Sequence, residues 1–115
     1  MDFSIETVPP GYRVPEYAAV AAPSADDRQA LMMVDLIARA ADAQASFDYR
    51  AFAKAKQVAQ ASMERFRERP SESRRRAAMA ASVVARRANE RALKSARTAQ
   101  ATADEAARMY EDSGA

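Results

Sequence analysis

The chain has 115 residues, which suits one small domain and leaves no room for two independent cores. Thirty residues are Ala, so only 26 Val, Leu, Ile, Met, Phe and Tyr side chains remain to fill a core, and the absence of Cys, His and Trp excludes disulfides, thiolate or imidazole metal ligands and the usual general base near neutral pH. With 18 basic and 16 acidic side chains the net charge is +2, so the charge total alone selects no class of partner.

The N-terminal 23 residues hold Pro9, Pro10, Gly11, Pro15 and Pro23, a density that rules out helix. An extended tail over residues 1–23 is the expectation, with Phe3, Ile5, Val8, Tyr12, Val14, Tyr17 and Val20 available to pack as a ribbon. Asp2 and Glu6 stand where a cleaved secretory signal carries positive charge, and the longest uncharged apolar run of the helical region, Ala77 to Ala85, is too short to span a bilayer. A cytoplasmic chain is expected, or one exported and assembled without a cleaved signal.

From Ser24 the composition changes. Ser24 can cap a helix, Asp26 and Asp27 suit its first turn, and residues 25–69 contain no Gly or Pro. An apolar stripe at Val34, Ile37, Ala41, Ala45, Tyr49, Phe52, Ala55, Ala59, Met63 and Phe66 has helical period. Ser46-Phe47-Asp48 is the one place where short polar side chains can break or recap this helix.

Pro70 ends the segment, and Ser71 or Ser73 can cap a second helix over residues 72–112, with Gly114 past its end. Its stripe is read as Ala77, Ala81, Val84, Ala88, Ala92, Ala96, Ala99, Ala103, Ala106 and Tyr110. Two long helices joined by a tight turn pack antiparallel. The predicted fold is therefore all-α: an elongated antiparallel helical hairpin over residues 24–115, the first helix able to split near Ser46, preceded by an extended tail.

An Ala stripe lets helix backbones approach closely, but each Ala buries little area. Large apolar side chains surround the first helix between Leu31 and Ile37, more than one partner helix can cover. Val34, Ile37, Tyr49, Phe52, Met63 and Phe66 are expected in the packing seam, with Leu31, Met32, Leu36 and Phe47 on a second surface. A thin core in a small chain points to oligomerisation.

Charge is uneven along the hairpin. Between Arg65 and Arg97 stand 11 basic residues against Glu68, Glu72 and Glu90, while the open end is acidic. Arg74, Arg75 and Arg76 crowd the N-terminus of the second helix, where the backbone dipole prefers anions. Neutralising all three is expected to leave folding intact or to stabilise that helix. A basic tip can bind another copy's acidic end or, through Arg74, Arg75, Arg76, Arg86 and Arg87, the phosphates of a nucleic acid without reading bases.

Neighbouring carboxylates such as Asp104-Glu105 point about 100° apart and do not converge on a metal. With Gly only at positions 11 and 114, no phosphate-binding loop exists. No enzyme, cofactor or metal is expected. In outline the chain is similar to small secreted helical hairpins, to filament-forming subunits of secretion machines and to small accessory proteins of virions, although Arg69-Pro70-Ser71 stands at the bend where the secreted hairpins carry Trp-x-Gly. The functional expectation is a structural protein acting by assembly, with itself or within a larger bacterial or phage-type complex, through coiled-coil-like packing. Alternatives are a sequence-nonspecific nucleic-acid-binding protein and an adaptor or chaperone for one protein partner. Phe52→Asp is expected to abolish assembly.

Overall fold

The computed structural model describes residues 25–114, with side chains described through Asp112. The expected N-terminal ribbon and the Ser24 cap lie outside these residues. The rest is a hairpin of two helices, α1 (Ala25–Glu68) and α2 (Glu72–Gly114), measuring 68 × 16 × 15 Å. At ~1.5 Å per residue a 44-residue helix is about 66 Å long, so the two helices lie side by side along their whole length.

The turn falls where proline chemistry places it. Pro70 disfavours helical geometry at Arg69, and the two helices are separated by Arg69, Pro70 and Ser71 alone. Ser71, not Ser73, caps α2: its Oγ accepts a bond from the Arg74 amide at 3.1 Å, and its carbonyl accepts the Arg75 amide at 2.9 Å. The second helix runs to Gly114, slightly beyond the expected end at 112.

The split near Ser46 does not occur, and α1 is continuous through Ser46-Phe47-Asp48. Asp48 is drawn away from its own backbone: one carboxylate oxygen accepts the Ser95 hydroxyl from α2, and the other accepts the Gln44 side-chain amide at 3.1 Å. With its acceptors engaged, Asp48 does not compete for the helix amides.

Burial follows a seven-residue interval. In α1 the series Leu31, Ala38, Ala45, Phe52 and Ala59 is buried, and in α2 the series Ala78, Ala85, Ala92, Ala99 and Ala106 is shut off from solvent altogether. Met63, Ala88 and Ala103 add to the seam, with Ser82 returning its hydroxyl to the Ala78 carbonyl at 2.8 Å. This overturns part of the predicted stripes. Ala77 and Val84 are exposed and their neighbours Ala78 and Ala85 are buried; Ile37 is exposed beside buried Ala38. A straight 3.6-residue helix drifts ~20° per seven residues, so a strict interval of seven and a looser stripe chosen by bulk diverge along the length of the helix.

The largest buried group is Phe52, 2% exposed, seated against Ala88 and Ala92 with Tyr49, Ala55, Leu93 and Ala96 around it. Small side chains on α2 make room for the ring. Tyr49 meets it edge-on at 6.5 Å between centroids, and the Lys56 ammonium lies 6.0 Å from its centroid. Truncation by Phe52→Ala is expected to cost about 3–5 kcal/mol, measured by urea unfolding followed by circular dichroism, because the facing Ala residues cannot collapse to fill the space.

Candidate assembly surface

At the turn, the arginine triplet is committed to structure. Arg74 sends its guanidinium back across the bend, donating to the carbonyls of Arg65 at 3.3 Å and Arg69 at 3.2 Å. One carbonyl belongs to the last turn of α1, where it also accepts the Arg69 amide, and the other stands just past it, a C-terminal end whose negative dipole favours a cation. Arg75 grips Glu72 with two bonds, 2.7 and 3.1 Å, and Arg76 reaches the same carboxylate at 3.3 Å. The triplet thus has contacts that the sequence reading did not include: one arginine serves the preceding helix and two meet the acid of their own first turn. Of the proposed anion-binding set, Arg86 and Arg87 lie farther along α2 and are exposed.

The predicted seam residues are brought together with one exchange. Phe52 and Met63 are buried, and Val34, Tyr49 and Phe66 are half-buried along the same side. Leu31, expected on the second surface, belongs to the buried series, whereas Ile37, expected in the seam, is 56% exposed. Burial of Phe52 inside the hairpin also changes what Phe52→Asp reports: it disrupts the hairpin itself and does not isolate an assembly surface.

Met32, Leu36 and Phe47 are exposed, as a second surface requires. Met33, Val58, Met79, Val83 and Val84 join them. On α1 these groups are ordered. Met33 and Phe47 belong to one seven-residue series and Ile37 and Val58 to another, the two offset by four, so all four share one stripe with exposed Ala40 and Ala51 between them. At 100° per residue this stripe lies about 130° around α1 from the side that faces α2. At the start of α1, Met32 and Leu36 widen it. Counting sevens from Met33 and Ile37 would have found the stripe in the sequence; its apolar groups alternate with Ala, Gln and Lys, which conceals it from a reading of bulk alone.

A shallow groove of about 250 Å³, bordered by Ala41, Gln44, Lys94, Ser95 and Thr98, lies beside the Asp48–Ser95 contact and is smaller than the sites that enclose drug-sized ligands. Among the described residues no group of three or more acidic side chains is placed to hold a metal ion, and no helix is long and apolar enough to cross a membrane. No protein family, curated protein or solved structure matches the chain.

Two outcomes test the turn. Arg74→Gln is expected to destabilise the hairpin by about 0.5–1 kcal/mol, the scale of a cation at a helix C-terminus, and to speed amide exchange in the last turn of α1. The hydrogen bonds from Arg75 hold the Glu72 carboxyl below its ordinary range. A carboxyl depressed in the folded state stabilises above its unfolded pKa and loses that contribution as pH falls through its folded one. Amide protection at the start of α2 should therefore decrease on acidification through and below the usual carboxylate range, and Glu72→Gln should remove that dependence, read by hydrogen exchange.

Proposed function

We propose that this protein is a non-enzymatic structural protein that acts by assembly, its hairpin serving as a building block of a helical-bundle oligomer or as a subunit of a larger complex. The observation that carries this reading is the exposed apolar stripe of α1. Met33, Ile37, Phe47 and Val58 are each more than half exposed, while the interior of the hairpin is built mainly from Ala. A row of large exposed apolar side chains along one helix face, even one interrupted by Gln44 and Lys54, supports an association site. The physical reason is quantitative: burying an aromatic or branched side chain contributes about 1.5–3 kcal/mol, far more than a methyl group. Much of the chain's capacity for apolar burial is therefore unused within one hairpin. The seven-residue interval of the seam supports coiled-coil packing, since it keeps two helices in register only when they wind around each other with a left-handed sense.

Phosphate binding at the basic tip is less well supported, because Arg74, Arg75 and Arg76 are engaged with backbone carbonyls and Glu72. Salt separates the two readings. Binding through phosphates weakens steeply as salt rises, and an apolar contact does not.

Light scattering over a concentration series is expected to give a mass above that of one chain, retained at high salt. Phe47→Asp places a charge on the stripe without entering the hairpin core, so it should yield a monomer with unchanged helicity by circular dichroism. A wild-type protein that stays monomeric and helical at all concentrations would overturn the reading.

A further inference from the structure

The stripe on α1 has polarity. Continued by its own spacing, it carries Asp26 at one end and Arg65 at the other, both exposed. The charge of the whole helix divides in the same way. Residues 25–45 hold Asp26, Asp27, Asp35 and Asp42 against Arg28 and Arg39, a net of −2; residues 46–66 hold Arg50, Lys54, Lys56 and Arg65 against Asp48 and Glu64, a net of +2. The halves are equal and opposite about the centre of the stripe.

Resting on the assembly reading above, we infer that the occupant of this stripe is the same stripe of a second copy, laid antiparallel about a two-fold axis between Gln44 and Phe47. In a parallel pair acidic half meets acidic half and basic meets basic. In the antiparallel pair each −2 half lies along the other copy's +2 half, and the register follows from the side chains. Asp26 comes level with the second copy's Arg65, Met33 with Val58, and small groups meet where Ala40 faces Ala51. The two Phe47 rings flank the axis, each beside the opposing Gln44, and Ile37 lies along the aliphatic stem of Lys54. Each residue of one seven-residue series thus faces one of the other series, the arrangement in which antiparallel helices interdigitate. Such a contact is isologous and closes on itself.

Its size is adequate. From Asp26 to Arg65 the stripe is about 58 Å long, and with a helix face roughly 10 Å wide it offers on the order of 600 Å² per copy before Met32 and Leu36 are added. A stable pair of proteins typically buries about 800 Å² a side.

Because the chain has no Cys, thiols can be introduced one at a time. Met33→Cys, Val58→Cys and Phe47→Cys variants of the full chain are exposed to oxidation or to a short bis-maleimide, alone and in mixtures, alongside light scattering of the unmodified protein. The antiparallel pair predicts that Met33→Cys mixed with Val58→Cys forms a cross-linked dimer, that Phe47→Cys cross-links with itself, and that Met33→Cys alone does not, its two copies lying about 37 Å apart. Efficient self-linking of Met33→Cys would show a parallel pair and overturn the inference. An oligomer by scattering with no cross-link at any of the three positions would overturn this use of the stripe and leave the assembly reading standing. A monomer by scattering would overturn both.

Discussion

The hairpin depends on the contact between Phe52 and the small side chains of α2. An aromatic ring that reaches solvent exclusion needs a surface that recedes, and Ala88 and Ala92, one turn apart, supply it. The same choice of Ala along α2, repeated every seven residues, brings the two backbones close for the length of the molecule. Close approach gives many weak dispersion contacts and leaves little volume for side chains that bury large areas. An interior of this kind is narrow by construction, and everything bulky that it does not accept remains on the outside of the helices.

The turn shows how a local conflict is resolved by a neighbour. Arg74, Arg75 and Arg76 at the start of a helix oppose its dipole when α2 is considered alone. In the folded hairpin the end of α1 lies within reach, and its last carbonyls need partners. Arg74 is thus at the wrong terminus of one helix and the right terminus of another. Glu72 completes the arrangement by meeting Arg75 and Arg76 with a carboxylate in the first turn, where a negative charge is favoured.

Helix identity, the proline turn and the antiparallel pairing were legible in the sequence because Gly and Pro are absent from both helices except at the terminal Gly114, and because Ser71 follows Pro70 at capping distance. The face of each helix was legible less well. Choosing the bulkier of two neighbours selected Ile37 over Ala38 and Val84 over Ala85, whereas at these positions the packed seam selects the smaller, since a close helix pair leaves little space for branched side chains away from its ends. The continuity of α1 was the main expectation, but the local residues left a split at Asp48 open, because one partner of its carboxylate is Ser95, 47 residues away. The role of Arg74 was not legible, since it rests on carbonyls nine and five residues earlier. In each case the missing information is a partner brought close only by the fold.

The same distribution of sizes connects folding to association. Were the bulky residues of α1 turned inward, the hairpin would be thicker, its backbones farther apart, and its outer surface inert. With Ala inward, the hairpin gains little apolar burial per residue, and large side chains such as Phe47, Ile37 and Met33 are left facing water on a side that α2 does not reach. On the proposed assembly reading their burial would contribute only when another surface arrives, so part of the free energy that a globular domain draws from its own core would here depend on concentration. A second apolar stripe about 130° from the first is also the geometry by which one helix can pack with two neighbours at once, one covalently linked through the turn and one supplied by association.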